Sequence, residues 1–391
     1  MDLVVNVKIK NLQAVPNEIY EYYNYPIEGK CSDVAIINNK QAEAYYQAAD
    51  IVYKLIVEAT EDVINNKEYA RFGIPDFMIP AIEYSWENDH KHMIGRFDFA
   101  GGVDNLPIKL IEFNADTPFS IFETAVVQHY LSIANGYKDD QQFNYIFDTL
   151  KDSFAELPGI GELPMVFTSW GSPEDELTTR IIGEAAEAAG GISLWRDWEQ
   201  LYAHKDIGIF TSVDGRNIQY EFPYMFKMYP WEILAAEDPE MTKNICDAIC
   251  AGNLTVFNPP YATIYQSKAL LAKLWEMNSY HPLLLKTTIT NHCVDCVRKP
   301  IWGREGSNIA FMSNGEVITE TPGLYNDFSN EQFVYQDIAN FGSDSHGRRY
   351  QAGVFITDGV PSGLGFRRTN GSDKYEVITT NHELCGHVIE D

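Results

Sequence analysis

The stretch GRFDFAGGVDNLPIKLIEFNAD, residues 95–116, contains two short runs with strand-like alternation on either side of a glycine-containing turn. Successive side chains of a β-strand point to opposite faces, so Arg96 and Asp98 share one face of the first run. Glu112 and Asn114 share one face of the second run for the same reason. If the turn is centred on its Asp-Asn dipeptide, antiparallel pairing sets Asp98 opposite Glu112 and Arg96 opposite Asn114. The sequence therefore predicts a hairpin with four polar side chains on one side.

Two carboxylates face each other across this predicted hairpin. The Cβ atoms of directly opposed residues lie about 5 Å apart, and like charges at that position destabilise the pair. A bound cation would remove the penalty, and Asp, Glu and Asn oxygens suit Mg²⁺, which keeps several waters and binds substrate phosphates. An arginine beside them would hold a phosphate or stabilise charge in a transition state. The alternative is a solvated, charged hairpin, because edge strands often carry charges.

Composition limits the class of protein. The chain has 391 residues and a net charge of −27, from 56 acidic and 29 basic side chains. Its length predicts two or three domains. The acidic excess argues against a nucleic-acid partner, which needs clustered Lys and Arg; it suits a cationic substrate or simply maintains solubility. No run of about 18 apolar residues occurs, and the N-terminus does not resemble a signal peptide. We therefore expect a cytoplasmic protein with no membrane partner.

Six cysteines are too few for a disulfide framework in a chain of this length. Cys246 and Cys250 lie four residues apart in a helix-like segment, where buried thiols are common. Cys293 and Cys296 form a CxxC, but no second pair of ligands at a zinc-like spacing stands out. We expect buried structural thiols, with a zinc or thiol-redox site at the CxxC as the alternative.

Hydrophobic periodicity gives a coarse order of elements. It predicts a helix over residues 41–69, a hairpin over 92–114 and a second helix from about 120 to 134. Residues 163–212 alternate between strand and helix, as in an α/β layer. The last hundred residues consist mainly of short strands with Gly-rich connections, which favours antiparallel sheet. The mixture predicts α+β lobes with a boundary near residues 250–260.

The segment after Asp116 predicts a helix N-terminus close to the acidic face. Thr117 and Pro118 could be the cap and the first helical residue. Alternatively, Ser120 and Glu123 could form a capping box. Either arrangement places free backbone N–H groups, which bind anions, beside the predicted carboxylate pair. An ordinary capped helix would look the same in sequence.

The segment VRKPIWGREGSNI, residues 297–309, predicts a strand that ends near Lys299 and a loop that contains Gly303 and Gly306. Backbone N–H groups of such a loop can surround phosphate oxygens while a lysine supplies a point charge. The spacing is not that of a Walker A motif, so a plain hairpin loop is the alternative.

Two other segments carry basic residues. In YQSKALL, Ser267 is predicted to cap a helix, which places Lys268 in a first turn where it opposes the helix dipole. That position hints at a nearby anion. Arg367 and Arg368 end a predicted strand, and paired arginines suit carboxylate or phosphate recognition. Solvated side chains are the alternative in both segments.

Taken in order, these segments resemble the glutathionylspermidine synthase-like ATP-grasp family. The segments that carry the resemblance, from about residue 90 to the C-terminus, are RFDFA, LIEFNADTP, EDELTT, FKMYPWE, YQSKALL, HPLLL, VRKPIWGREGSNI, FVYQ and GVFITDGVPSGLGFRR. The resemblance implies an α+β, ATP-grasp fold with antiparallel sheets flanked by helices. It implies a pre-ATP-grasp-like lobe with the metal-binding hairpin at 1–125, a central α/β substrate lobe at 126–255 and a nucleotide-binding lobe at 256–391.

The resemblance also implies an activity. ATP would phosphorylate a carboxylate, and an amine would attack the acyl phosphate to form an amide with release of ADP and phosphate. Characterised family members join the glycine end of glutathione to spermidine. The residues that match the family's functional positions are Asp98, Glu112 and Asn114 as Mg²⁺ ligands, Arg96 and Arg367 as catalytic residues, Lys268, Lys299, Gly303, Gly306, Ser307 and Gln336 as ATP-binding residues, and Thr117, Asp175, Glu176 and Arg368 as substrate-binding residues.

Two features depart from the bifunctional family members. About 90 residues precede the first motif, which leaves no room for their additional amidase domain. Phe119 occupies a position where the synthetase has a second small hydroxyl residue beside the tripeptide. We therefore expect a stand-alone synthetase-type relative. The alternatives are a ligase for a different peptide and amine, and a non-catalytic relative that binds nucleotide or peptide. A non-catalytic protein would not need Arg96, the metal-ligand set or the two lysines.

Overall fold

Four β-sheets and ten α-helices make up the part of the chain that the computed structural model describes, which is residues 6–15, 17–23, 32–212, 218–291, 294–323, 332–370, 375–378 and 383–391. The strands are β1 (Ile9–Asn11), β2 (Asp33–Ile37), β3 (Gly95–Ala100), β4 (Lys109–Asn114), β5 (Pro164–Ser169), β6 (Ile192–Trp195), β7 (Leu201–His204), β8 (Gly208–Ser212), β9 (Ile218–Phe222), β10 (Tyr224–Met228), β11 (Thr255–Phe257), β12 (Thr287–Thr288), β13 (Asp295–Pro300), β14 (Ala310–Ser313), β15 (Glu316–Glu320), β16 (Phe333–Gln336), β17 (Tyr350–Thr357), β18 (Val360–Arg368) and β19 (Glu383–Ile389). The helices are α1 (Asn17–Tyr22), α2 (Asn39–Asn66), α3 (Ile79–Glu87), α4 (Gln128–Ala134), α5 (Ile146–Ala155), α6 (Pro173–Ala188), α7 (Trp231–Glu237), α8 (Pro239–Cys250), α9 (Ala262–Gln266) and α10 (Ala269–Met277).

The predicted hairpin lies in a seven-stranded sheet with the order β1-β2-β19-β18-β17-β3-β4. Asp98 pairs with Glu112 and Arg96 with Asn114, so the register predicted from the sequence is confirmed. A bulge follows Asp98, and bulges of this kind often occur beside active sites. Phe97 and the other ring side chains of the two strands are buried in the core on the opposite face. The alternation of the strands therefore separates a polar face from an apolar one.

Helix α2 covers the apolar face of this sheet. It begins with a capping box between Asn38 and Gln41 and ends where Lys67 adopts a left-handed conformation. Its buried side recurs at helical spacing from Tyr45 to Ile64. These bounds confirm the helix predicted over residues 41–69 to within three residues.

Three smaller sheets complete the fold. The central one is parallel, with the order β11-β10-β5-β6, and α6 connects β5 to β6, which confirms the predicted strand and helix alternation there. An antiparallel sheet, β12-β16-β13-β14-β15, lies in the C-terminal part, as predicted, and β7-β8-β9 form the third. The large sheet takes strands from both ends of the chain, because β3 pairs with β17 and β2 with β19. The three predicted domain ranges stay a prediction.

The predicted helix caps are wrong, because the hydroxyl groups have other partners. The helical segment after β4 begins at Ile121 with a π-helical turn and has no side-chain cap. Thr117 accepts a hydrogen bond from Arg304 and Ser120 accepts one from Arg367. Ser267 donates to a backbone carbonyl instead of capping α10. A hydroxyl near a helix start caps it only when no tertiary contact competes.

The cysteines follow the prediction in part. Cys246 is a buried free thiol and Cys250 a half-buried one. Cys296 is buried in β13 and is disulfide-bonded, so the expectation of a free thiol there is wrong. Cys293 lies outside the described residues.

Each helix within the ranges given above is too short or too polar to span a bilayer.

Candidate active site

Asp98 lies at the centre of a buried polar cluster on the large sheet. Arg96 donates from Nε to Asp98 Oδ1 at 2.7 Å and from Nη2 to Oδ2 at 3.1 Å. Asn114 donates its amide nitrogen to Oδ2, also at 3.1 Å. A second guanidinium, that of Arg367, lies 3.8 Å from the same oxygen. The hairpin therefore brings Arg96, Asp98 and Asn114 together as predicted, and β18 adds Arg367.

Glu112, opposite Asp98, faces two lysines from the C-terminal part of the chain. The ammonium group of Lys268 lies 3.3 Å from Glu112 Oε2. Burial alone would raise the pKa of Glu112, but the charges of Lys268, Lys299 and Arg96 lower it to about 2. Glu112 is therefore ionised at neutral pH.

The two lysines reach this point from different elements. Lys268 occupies the break between α9 and α10, where its backbone N–H donates to Ile301 and its ammonium group to the Gly303 carbonyl at 2.7 Å. Lys299 extends from β13 and donates to Gln336 Oε1 at 2.7 Å. Burial and the nearby charge of Lys268 lower the pKa of Lys299 to about 8, although Glu112 acts in the opposite direction.

A cavity adjoins Glu112 and Lys299. Its walls are mainly apolar, and they come from β4, the antiparallel C-terminal sheet and the segments that follow it. Apolar side chains that line it include Ile111, Val297, Ile309, Phe311, Ile338 and Phe341. Gln336 and Gly306 also border it. A concave space lined by apolar side chains together with several polar ones has the character of a small-molecule site.

The loop between β13 and β14 closes one side of this region. Gly306, Glu305 and Asn308 have positive φ values of 71°, 50° and 56°, so the backbone makes a tight left-handed turn. The N–H of Ser307 donates to the carbonyl of Arg304 at 2.8 Å. The hydroxyl of Ser307 lies 3.3 Å from the carbonyl of Pro322, to which it donates. The predicted glycine loop is therefore present.

Arg304, which the sequence analysis did not single out, connects this loop to two other segments. Its Nε and Nη2 donate to Glu232 Oε1 at 2.8 and 2.6 Å, and its Nη1 donates to Thr117 Oγ1 at 2.9 Å. Glu232 belongs to the FKMYPWE segment and lies in the first turn of α7. Arg304 and Glu232 both belong to segments that carry the family resemblance. Only the tertiary structure, however, brings these two residues and Thr117 together.

A second missed contact is a fully buried ion pair between Asp116 and Lys227. The ammonium group of Lys227 lies 2.9 and 3.0 Å from the two carboxylate oxygens, and the backbone N–H of Trp231 donates to Oδ2 at 2.7 Å. Burial raises the pKa of Asp116 and lowers that of Lys227, while each partner acts against the shift of the other. The pair connects the end of the hairpin to the central sheet.

Arg367 and Arg368 separate, because consecutive residues of a strand point to opposite faces. Arg367 faces Asp98 and donates to Ser120 Oγ at 3.1 Å. Arg368 is buried in ion pairs with Asp33, at 2.7 Å, and Glu383, at 2.5 Å. Arg368 therefore lies in an ion-pair network on the opposite face of the sheet from Asp98, and its substrate-binding role stays a prediction.

The acidic start of α6 also divides its side chains. Asp175 is buried and accepts a hydrogen bond from Ser172, whereas Glu176 is exposed. The charges of Arg367 and Arg96 act on Glu174, a residue that the prediction did not include. Burial and the charges of Glu123 and Asp175 raise its pKa to about 7, while Arg367 and Arg96 oppose this. The substrate-binding role of Asp175 and Glu176 stays a prediction, and the sequence did not indicate which of the three acidic side chains at the start of α6 would be buried.

The donor set fits Mg²⁺. Two carboxylates and an amide oxygen donor stand on adjacent strands, and hard oxygen ligands are the ones that Mg²⁺ prefers. Both carboxylates now neutralise arginine or lysine, and each oxygen has further lone pairs. Among the residues that the structure describes, no group of three His, Cys, Asp or Glu side chains could hold another metal. Cys293 of the CxxC lies outside those residues, so a zinc site there stays a prediction.

The fold and this site define an ATP-grasp protein with a pre-ATP-grasp lobe. The chain belongs to the family described as glutathionylspermidine synthase preATP-grasp, whose model matches residues 18–390. The family resemblance found in the sequence is thereby confirmed.

Proteins similar to this chain are named as ligases or synthetases. A Haemophilus influenzae protein named "Putative acid--amine ligase" is 27% identical over 95% of this chain and 94% of its own length. Trypanothione synthetase of Crithidia fasciculata and the bifunctional glutathionylspermidine synthetase/amidase of Escherichia coli K12 are each 24% identical. They match 81% and 84% of this chain, which spans about half of their lengths, 51% and 53%.

A solved structure, the glutathione synthetase-like effector of Globodera pallida, is similar over 91% of this chain and 89% of its own, with 10% identity and a TM-score of 0.48. The curated relatives described above are named as ligases or synthetases, so the family is one of acid–amine ligases.

Proposed function

We propose that the protein is an ATP- and Mg²⁺-dependent ligase that joins a peptide carboxylate to an amine through an acyl phosphate. The observation that carries the proposal is the pairing of Asp98 with Glu112 at the edge of the apolar cavity, with Lys268 and Lys299 beside Glu112. Cations next to a pair of carboxylates match what phosphoryl transfer requires, which is positioning and charge stabilisation rather than a strong base.

ATP would lie with its base in the cavity and its phosphates toward the two lysines. Gln336 borders the cavity and positions the ammonium group of Lys299. Lys268 is held by the carbonyl of Gly303, at the start of the glycine loop. In this arrangement the backbone of Gly306 would lie against phosphate oxygens, as in other anion-binding loops. Ser307, whose N–H and hydroxyl donate to the carbonyls of Arg304 and Pro322, would contact a phosphate only by exchanging one of these hydrogen bonds.

Asp98, Glu112 and Asn114 would hold Mg²⁺. When bound, the ion would offset negative charge on the phosphates that approach this carboxylate pair. Arg96 is already fixed against Asp98 through two nitrogens, and its Nη1 donates to the carbonyl of Phe119 at 2.7 Å. Its orientation is therefore set before substrates arrive, which favours a role in stabilising transition-state charge.

The carboxylate and amine substrates would meet on the other side of Asp98. Arg367 lies beside Asp98, and Thr117 accepts a hydrogen bond from Arg304; both residues suit the peptide carboxylate. Glu174 and Asp175, at the start of α6, would provide negative charge for an amine. The exposed Glu176 would add a third carboxylate. The net charge of −27 would raise the local concentration of a polyamine.

Glutathione and spermidine are the first substrates to test, because they appear in the name of a relative. Phe119 in place of a small hydroxyl residue favours a different peptide as the second candidate. A non-catalytic nucleotide-binding role is the third. The buried Arg96–Asp98 pair and the two converging lysines favour catalysis over that third candidate.

The experiment is to incubate purified protein with ATP, Mg²⁺ and a panel of peptides and amines that begins with glutathione and spermidine. Mass spectrometry would detect the amide, and a coupled assay would detect ADP. Glu112→Gln should lose both signals, while the exposed Glu316→Gln should keep them. Failure of every pair, together with no ATP binding, would contradict the ligase assignment.

A further inference from the structure

Arg304 holds the glycine loop against two distant parts of the molecule through one side chain. The loop lies between β13 and β14, Thr117 follows β4, and Glu232 lies in the first turn of α7. The guanidinium donates three hydrogen bonds to these two residues, at 2.6 to 2.9 Å. The glycine loop, which would cover the phosphates, is thus connected both to the segment after β4 and to α7.

Glu232 depends on Arg304 for compensation of its charge. Its side chain is only 6% exposed, and one oxygen, Oε1, accepts both hydrogen bonds from the guanidinium. The other oxygen, Oε2, is buried without a hydrogen-bond partner in the described part of the chain. A buried carboxylate with one unsatisfied oxygen is costly unless a charged partner stays in place.

The two acceptors of Arg304 are themselves rigidly connected. Asp116 precedes Thr117, and its carboxylate accepts the backbone N–H of Trp231, which precedes Glu232. The buried ammonium group of Lys227 neutralises Asp116 and donates to the carbonyl of Tyr229. Thr117 and Glu232 are therefore connected to each other through Asp116 and Trp231, and Arg304 attaches the glycine loop to both.

We propose that Glu232 is a positioning residue that holds Arg304, and through it residues 303–306, across the phosphate site. Loss of the Glu232 charge would release the loop and weaken nucleotide binding more than it slows the chemical step. This inference rests on the proposed function in naming ATP as the occupant, but the closed state of the loop exists in the protein without any ligand.

The experiment compares wild type with Glu232→Gln and, from the other end of the contact, Arg304→Gln. Hydrogen exchange of the ligand-free proteins would follow the amides of Ser307 and Asn308, which donate to carbonyls within the loop and of Pro322. We expect both variants to exchange there roughly fivefold faster or more. The Kd for the Mg²⁺ complex of a non-hydrolysable ATP analogue should rise about tenfold, as expected for loss of a charge-assisted contact. In turnover, KM for ATP should rise more than kcat falls.

Glu320→Gln is the matched control. Glu320 pairs with Arg298 at 2.5 Å in the same C-terminal sheet, and that pair is more exposed. It should change neither exchange of residues 303–308 nor nucleotide affinity. The double variant Glu232→Gln/Arg304→Gln should be no worse than either single variant, because the two changes remove one shared contact. Thermal unfolding of each variant would identify any general loss of fold. If Arg304→Gln, which leaves the Glu232 carboxylate buried without its partner, loses stability, Glu232→Gln decides, because it removes the buried charge itself.

Unchanged exchange at Ser307 and Asn308 in both variants would overturn the inference. So would an unchanged Kd combined with a large fall in kcat, which would make Arg304 or Glu232 part of the chemistry instead. If wild type binds no nucleotide, the proposed function fails, and the exchange measurement on ligand-free protein still decides whether Glu232 holds the loop.

Discussion

At the scale of single residues, Asp98 combines two tasks that substitution experiments must separate. It is a candidate metal ligand, and it also neutralises buried Arg96 and lies close to Arg367. Glu112 is a candidate metal ligand but is not needed to neutralise a buried cation, because its side chain is partly exposed and its lysine neighbours have other partners.

We predict that Asp98→Ala destabilises the protein by about 3 kcal/mol or more, since it leaves a buried guanidinium without its counter-charge. Glu112→Gln should cost about 1 kcal/mol or less, because it keeps the size and most contacts of the side chain. Both should abolish turnover. Urea unfolding followed by circular dichroism measures the difference. Equal stability losses would show that Asp98 does not support the arginines.

Gly353 tests how closely Arg96 must be positioned. A Cβ atom at this position would lie 3.0 Å from Arg96 Cδ. We predict that Gly353→Ala shifts the guanidinium by a few tenths of an ångström and lowers kcat about tenfold, with little change in nucleotide affinity. Gly386→Ala is the control, because Gly386 lies in the same sheet, on β19, and a Cβ atom there would lie 2.9 Å from Gln128 Cβ in α4. Two strands, β17 and β18, separate β19 from the strand that carries Asp98. Equal kcat in both variants would argue against a precise role for Arg96.

At the scale of elements, the site is assembled where chain segments end. β4 delivers Glu112 and Asn114 and then runs into the segment that carries Asp116 and Thr117. The Asp116–Lys227 pair joins that segment to β10 of the central sheet. This contact belongs to the architecture, because it sets where two predicted lobes meet.

We predict that Lys227→Met destabilises the protein by about 3–5 kcal/mol, because it leaves a buried carboxylate unpaired. Lys54→Met removes an exposed pair with Asp50 on α2 and should cost less than about 0.5 kcal/mol. Chemical unfolding of the two variants under identical conditions makes the comparison. A small loss for Lys227→Met would mean that Asp116 is protonated and needs no partner.

The hairpin was predictable because a strand has a period of two and its turn was visible, so the pairing of Asp98 with Glu112 followed. The same period predicts that Arg367 and Arg368 face opposite ways, a signal that the sequence analysis did not apply. Helix caps failed at Thr117 and Ser267, because a hydroxyl group takes whichever partner the tertiary structure supplies. The Arg304–Glu232 contact was out of reach, since nothing local relates residues 72 positions apart.

At the scale of the whole molecule, both ends of the chain meet in one sheet. β19 pairs in parallel with β2, and this pairing brings His387 into the core. His387 accepts the backbone N–H of Phe143 on Nε2, and His92 is buried beside the hairpin. Burial lowers the pKa of His387 to about 3 and that of His92 to about 4.

Because both folded-state pKa values lie below the ordinary value of 6.5, only the unfolded chain takes up these protons between about pH 6.5 and pH 4. We predict that stability falls as pH drops through this window, by roughly 1.4 kcal/mol for each histidine at pH 5.5 relative to pH 8. Urea titrations at several pH values measure it. His387→Gln, which keeps an acceptor for Phe143, should remove one histidine's share, and an unchanged pH slope would contradict the assignment.

The most direct measurement is a crystal structure with Mn²⁺ and a non-hydrolysable ATP analogue, with anomalous scattering to locate the metal. We predict an anomalous peak about 2.2 Å from the carboxylates of Asp98 and Glu112, with analogue phosphates between that peak and the two lysines, Lys268 and Lys299. A nucleotide bound elsewhere, or a metal that contacts neither carboxylate, would contradict it.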